Sequence, residues 1–400
     1  MGAEGLRRDF PIFSKRKFVY FDNACTTQKP TAVLDAVNAY YTEYTGCAGR
    51  SQHHIGKKTE EEFEKARGKV AGLVGAKPNE TVWTRNTTEA INLVACSLDF
   101  SKRNKVVTSV MEHHSAFLPF QQLKKRGKIS LDIVYPDKQG VFEDGAWQEK
   151  IDSKTRLVVV HHTTNTLGTS APLREIVKTA HDCGALVLVD AAQGVPHHEV
   201  NFGREGYDFM AFSGQKMLGP TGIGCLVARR ELLEEMPPFM VGGETVERVT
   251  IDDAVFLKPP HKFEAGLQHY AGAIGLGAAA DYLKRQGLNN INRHEKELAK
   301  FLFEELKQIK GVKLFGPADS SKTCGIATFN VEKAKNPHEV ALMLDNLAGI
   351  CTRSGVFCAE PAMTWLGAPR GAVRASLYLY NTMAEAEAFV ATLKKIAATY

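Results

Sequence analysis

Val187-Leu188-Val189-Asp190-Ala191-Ala192-Gln193 decides the reading of this chain, together with Phe212-Ser213-Gly214-Gln215-Lys216-Met217-Leu218-Gly219-Pro220 shortly after it. The first stretch is an apolar run with β-branched members that ends on one carboxylate, the pattern of a buried strand. In an open α/β sheet, ligands sit beyond the carboxyl ends of the strands, which puts Asp190 where chemistry is usually found. Lys216 falls in a Ser/Gly/Pro-rich loop after a second apolar run, 207–212. A strand-end aspartate with a loop lysine suits pyridoxal 5′-phosphate (PLP): the lysine forms the Schiff base and the carboxylate keeps the pyridine nitrogen protonated. The same two residues also suit a helix N-cap and a solvated lysine, so the remainder of the chain has to decide.

Outward from that centre, apolar runs alternate with helical stretches. Strands are expected at 81–84, 105–110, 131–135, 156–161, 185–189, 209–212 and 223–228, and helices at 30–44, 59–74, 119–125, 146–151 and 173–183. The alternation argues for a mainly parallel sheet covered on both faces. Three successive strand ends then offer His113, Asn165 and Asp190, the convergence a small-molecule site needs. The turn Thr84-Arg85-Asn86-Thr87-Thr88 opens an apolar helix. Its free N–H groups suit a phosphate, and they equally suit an ordinary N-cap.

After Pro237-Pro238 the pattern breaks. A small-residue helix (271–283) and a Lys/Glu-rich helix (289–310) follow. A smaller α/β unit then has strands at 326–331, 350–353 and 372–377 and helices at 337–347 and from Met383. Between two of its strands lies Arg353-Ser354-Gly355-Val356-Phe357-Cys358-Ala359-Glu360. A single cysteine in such a loop is either structural or a nucleophile, since a thiolate reacts well when exposed near positive charge. Arg374 suits a bidentate grip on a substrate carboxylate, or a surface ion pair.

Composition bounds the function. The 400 residues make a chain large enough for two domains, and the net charge of +5 is too mild and dispersed to argue for nucleic acid. The mean hydropathy is −0.21. No apolar run reaches the roughly 18 residues of a membrane span, and the polar, basic first residues lack a signal-peptide core. The eight cysteines contain no CxxC pair, as expected of reduced thiols and not of a disulfide framework or a metal site. A cytoplasmic protein is expected.

Taken together, these motifs resemble the class V aminotransferase group of fold-type-I PLP enzymes, and most closely the SUF-type cysteine desulfurases. The likeness runs from Tyr20-Phe21-Asp22-Asn23-Ala24 to Tyr380-Asn381-Thr382. It rests chiefly on Val189-Asp190-Ala191-Ala192-Gln193, Ser213-Gly214-Gln215-Lys216, Phe263-Glu264-Ala265-Gly266, and Arg353-Ser354-Gly355 through Cys358-Ala359. It implies a large PLP-binding domain (18–265) with a mainly parallel seven-stranded sheet. Residues 1–17 and 266–400 would form a smaller C-terminal α/β domain carrying the cysteine loop.

By the same resemblance Lys216 is the Schiff-base lysine, Asp190 pairs with the pyridine nitrogen and His113 stacks on the ring. Gln193 meets the phenolic oxygen, and Thr87, Thr88, Ser213 and Gln215 hold the phosphate. Asn165, Arg374 and Asn23 bind the substrate, L-cysteine, and Cys358 takes its sulfur as a persulfide. A homodimer, and a sulfur-acceptor scaffold protein for iron–sulfur or other thio-cofactor assembly, are the implied partners. Selenocysteine lyase, another class V aminotransferase or epimerase, and a non-catalytic PLP-binding sulfur-transfer partner are the competing readings. Four positions depart from the family pattern: Gln215 replaces His, Leu267-Gln268 stand where a Thr is usual, Val356-Phe357 replace His-His, and Cys25 replaces Ala.

Overall fold

The computed structural model describes residues 2–400. Its larger sheet has seven strands: β1 (Thr81–Thr84), β2 (Lys105–Ser109), β3 (Ser130–Val134), β4 (Thr155–His161), β5 (Leu186–Asp190), β6 (Phe209–Ser213) and β7 (Gly224–Ala228). They lie in the order β1-β7-β6-β5-β4-β2-β3. All the pairings from β6 through β3 are parallel, and β7 alone runs the other way, antiparallel to both its neighbours. β1, β6 and β7 are buried at every residue, as strands covered on both faces must be. The faces separate cleanly: Val187 and Val189 of β5 enter one apolar cluster, while Leu188 joins Ile91, Ala116 and Phe120 from helices Thr87–Ser97 and His114–Lys125.

Four further strands, β8 (Val312–Phe315), β9 (Ile326–Val331), β10 (Arg353–Gly355) and β11 (Ala372–Ser376), form an antiparallel sheet in the order β8-β9-β11-β10. Phe329 packs there with Leu302, Phe389 and Leu393 from helices Leu288–Gln308 and Met383–Ala397. The last helix starts at a Thr382/Glu385 capping box, each side chain satisfying the other's backbone N–H. Helix Pro337–Ala348 begins at an Asn336 cap with Pro337 in first position and ends on Gly349 at φ 62°, where only glycine is unstrained.

Several expected elements differ. The 146–151 helix is a run of turns held by Trp147, which is buried against Phe142. The single 350–353 strand is two: Ile350–Cys351 pairs in parallel with Val19–Tyr20, and Arg353–Gly355 pairs with β11. Packing also crosses the expected 265/266 division. Helix Tyr270–Gln286 lies on helices Thr31–Glu43 and His54–Leu73, close enough that a Cβ on Gly277 would stand 2.8 Å from Ala66 Cα. Phe21, in turn, is buried with Phe389. The small residues of 270–286 thus serve a close helix–helix approach inside the larger unit, and residues 19–21 pack with the smaller one.

Candidate active site

The parallel strands deliver their carboxyl ends to one edge of the sheet. Asp190 ends β5 beside His161 of β4 in register, Ser213 ends β6, and the turns after β1 and β2 carry Thr87, Thr88 and His113 to the same place. Asp190, Ser213, Thr87, Thr88 and His113 line a cavity of about 220 Å³ together with Asn165, Lys216, Arg353, Phe357, Cys358 and Arg374.

On one side Asn86 caps helix Thr87–Ser97, its side chain accepting from Glu89 N. Around that helix start the hydroxyls converge. Ser213 Oγ accepts from Thr87 N at 2.8 Å and pairs with Thr87 Oγ1 at 2.6 Å, while Thr88 Oγ1 meets Ser115 Oγ at 2.6 Å. A helix start with hydroxyl donors around it is a cradle for a phosphate dianion. Ser115 is a member that the motifs did not single out. The signal available was its place just inside a helix whose cap is His113, with which it shares a 3.0 Å hydrogen bond.

Asp190 is 6% exposed and accepts from Ala192 N at 3.0 Å. Burial raises its carboxyl above the ordinary range, and the Lys216 charge opposes this. Lys216 is shifted the other way, its amine lowered by burial and only partly restored by Asp190. Burial, aided by the Lys216 charge, takes His113 down to about 3, so its ring is neutral at physiological pH. Its Nδ1 accepts from Ser115 N.

The loop preceding Lys216 is held by one carbonyl. Gln215 O accepts from Thr27 N at 2.9 Å, Thr27 Oγ1 at 3.1 Å, Lys29 Nζ at 3.2 Å and Thr26 Oγ1 at 3.3 Å.

Opposite stands Arg374, 3% exposed, on β11. It donates to Asn165 O at 2.8 Å and to Asp22 Oδ1 at 3.2 Å, leaving Nε buried without a partner. The cysteine loop closes this wall. Asn165 Nδ2 donates to Phe357 O at 2.7 Å, the Arg374 guanidinium lies 4.9 Å from the Phe357 ring centre, and His114 N donates to Cys358 O at 2.8 Å. Phe357 and Cys358 both hold positive φ, 57° and 55°, a costly conformation for side chains with a Cβ. The thiol of Cys358 is exposed between two buried neighbours.

Two expected site residues sit differently. Asn23 is 1% exposed with its amide fully committed, donating to Tyr20 O, Ser376 O and Asn381 Oδ1 and accepting from Tyr380 OH. It ties the 20–25 turn to the end of β11 and the 378–381 turn, and its neighbours Ala24 and Cys25 line the cavity in its place. Gln193 stands behind the wall, with Nε2 donating to Ala24 O at 2.7 Å and Oε1 buried without a partner.

The donor set fits PLP. It has a hydroxyl-rich helix start for the phosphate, a strand-end carboxylate for a ring nitrogen, and a buried amine for an imine. Gln215 Oε1 and Asn165 Oδ1, both buried and unpartnered, lie on the same cavity.

Known proteins match along the whole chain. A protein named probable cysteine desulfurase, from Methanothermobacter thermautotrophicus, is 42% identical over 400 residues, covering 99% of this chain and 98% of its own length. A second of the same name, from Halalkalibacterium halodurans, is 40% identical over 403 residues, covering 99% and 98%. Among solved structures, the apo cysteine desulfurase of Thermococcus onnurineus NA1 superposes with a TM-score of 0.95 at 38% identity, covering 99% of this chain and 98% of that one. The Escherichia coli cysteine desulfurase CsdA in its S-sulfonic acid form gives 0.90 at 30% identity, covering 100% and 99%. The family model for class-V aminotransferases matches residues 19–389, and with it the strand-end aspartate, the loop lysine and the cysteine loop all find their context: the chain belongs to the aminotransferase class-V family.

Proposed function

We propose that this protein is a PLP-dependent cysteine desulfurase that takes L-cysteine to L-alanine and leaves the sulfur as a persulfide on Cys358. One observation carries the reading: Cys358 presents an exposed thiol on the wall of the same cavity as Asp190, Lys216 and Arg374. Bound there, PLP supplies an electron sink for the negative charge that develops at the substrate α-carbon.

The chain's own residues do the rest. Thr88, Ser213 and the backbone at Thr87 would hold the phosphate, with Gln215 beside them. Neutral His113 would cover the ring, Asp190 would pair with the ring nitrogen, and Gln193, just behind the Ala24 wall, would meet the phenolic oxygen. Arg374 grips the substrate carboxylate, with Asn165 beside it. Lys216 Nζ, whose proton affinity burial has reduced, takes the proton from the α-carbon and returns it on the way to alanine. Cys358 Sγ, exposed on the cavity wall, attacks the substrate sulfur.

The working unit we propose is a homodimer that passes sulfur to an acceptor protein. Support for the dimer is a group of exposed apolar side chains at a second cavity of about 400 Å³: Met240 and Leu267 line it, Leu267 at 70% exposed, and Val241, at 69%, follows Met240. No helix among the described residues is long and apolar enough to cross a membrane.

Purified protein should release alanine and sulfide from L-cysteine with a reductant present. Cys358→Ser should lose at least ~100-fold in turnover while keeping its cofactor absorbance. Full turnover in the serine variant would refute the persulfide role.

A further inference from the structure

Cys358 is not the only thiol on this cavity. Of the eight cysteines, Cys25, Cys96 and Cys358 are exposed, and of these Cys25 and Cys358 line the catalytic cavity. Cys225 and Cys324 are buried, and burial drives both thiols well above the ordinary range, which makes them inert.

The surroundings of Cys25 are those of a sulfur-handling group. Its backbone N–H donates to Asp22 O at 3.1 Å, closing a tight turn, and the Asp22 carboxylate is held by Arg374 at 3.2 Å. The turn is therefore docked on the guanidinium whose buried Nε has no partner, and Lys216 and Arg353 line the same space. The opposite wall is anchored too, through His114 N on Cys358 O and Asn165 Nδ2 on Phe357 O.

We propose that Cys25 is a second sulfur-carrying thiol of this site, taking the sulfane sulfur from the Cys358 persulfide before an external thiol removes it. This rests on the desulfurase reading above. The step is a thiol exchange with no net oxidation. Cys25 Sγ, as thiolate, attacks the outer sulfur; a Cys25 Sγ–S bond forms as the bond from Cys358 Sγ to that sulfur breaks. The electron pair leaves on Cys358 Sγ, which accepts the proton Cys25 gave up. Cys358 is then free to attack a second cysteine while the first sulfur waits on Cys25 for the external thiol that removes it.

The test follows the sulfur. Holoenzyme is mixed with excess L-cysteine, passed quickly through a desalting column without reductant, alkylated and digested, and the peptides of Cys25 and Cys358 are weighed. Both peptides should gain a sulfur atom. In Cys25→Ala the sulfur should remain on Cys358 while the total bound per protomer falls about two-fold. In Cys358→Ser it should appear on neither. Sulfur on Cys358 alone in the native protein overturns the relay and leaves the desulfurase reading standing, whereas sulfur on neither peptide overturns both. Sulfur on Cys25 in Cys358→Ser overturns the order of transfer.

Discussion

Replacing Glu264 by Gln should cost about 3 kcal/mol of stability, a value reached by two routes. Glu264 is 4% exposed, and its carboxylate takes both arms of Arg67, at 2.6 Å and 2.9 Å, and the N–H of Trp83 at 2.8 Å. Arg67 is 1% exposed and lies about 5 Å from the ring centres of Phe63 and Trp83, so its charge has little access to water. Breaking such a buried pair from one side costs ~3–5 kcal/mol, because the other charge is left uncompensated. The lower end applies here, since Glu64 still reaches Arg67 Nε at 2.9 Å.

The second route is the carboxyl itself. Arg67 overcomes the burial cost and brings Glu264 from 4.5 to about 2. At 1.36 kcal/mol per pKa unit that shift is worth about 3 kcal/mol. The sign follows: this stability is fully present above about 4.5 and is lost as the pH falls toward 2.

The assay is denaturant unfolding of native protein, Glu264→Gln, Arg67→Met and the double variant Arg67→Met/Glu264→Gln, near pH 7. The double variant should lose less than the sum of its parts, since removing both charges leaves neither one stranded. Trp83 belongs to the strand that runs into the Asn86–Thr88 cradle, so Glu264→Gln should also shed PLP faster. A Glu264→Gln variant within about 1 kcal/mol of native would refute the reasoning.

Other outcomes follow from the same geometry. Arg374→Lys should raise KM for L-cysteine at least ~10-fold with the cofactor spectrum unchanged, because an ammonium cannot make the two-pronged contact; unchanged KM would remove Arg374 from the substrate site. His162 and His198, their ring centres 5.2 Å apart and the rings tilted, are driven by burial from 6.5 to about 4 and about 2, so the unfolded chain binds protons they refuse as pH falls below 6.5. Each should cost about 1 kcal/mol of stability by pH 5.5, and His162→Gln/His198→Gln should narrow the gap between urea midpoints at pH 7 and 5.5; a gap as wide as native counts against this. Gly194→Ala should destabilise by about 2 kcal/mol, since its Cβ would meet the His162 ring at 2.6 Å, and native-like unfolding would show that the ring yields.

The main sheet was legible because its central strands are buried on both faces and read as unbroken apolar runs, 157–160 and 209–212 among them. Their polar terminal residues marked the site edge. What escaped lacked that contrast. Helices Ala3–Arg7 and Pro11–Lys15 are too short to show a period. The hairpin Val246–Val249/Ala254–Phe256 is largely exposed, so it has no alternation to read. Within the site, chain position could not separate Asn23 from Cys25: which side of one tight turn faces the cavity is decided by Tyr380, Asn381 and Ser376, more than 350 residues away.

The four donors gathered on the Gln215 carbonyl have a mechanical consequence. A carbonyl oxygen has two lone pairs, so this peptide is held from more directions than it can fully answer, and none of the four tethers is needed alone. The main chain beside Lys216 is thereby a fixed pivot. Any swing of the amine between partners during turnover is confined to its own side-chain torsions, an arm turning on an immobile hinge-post.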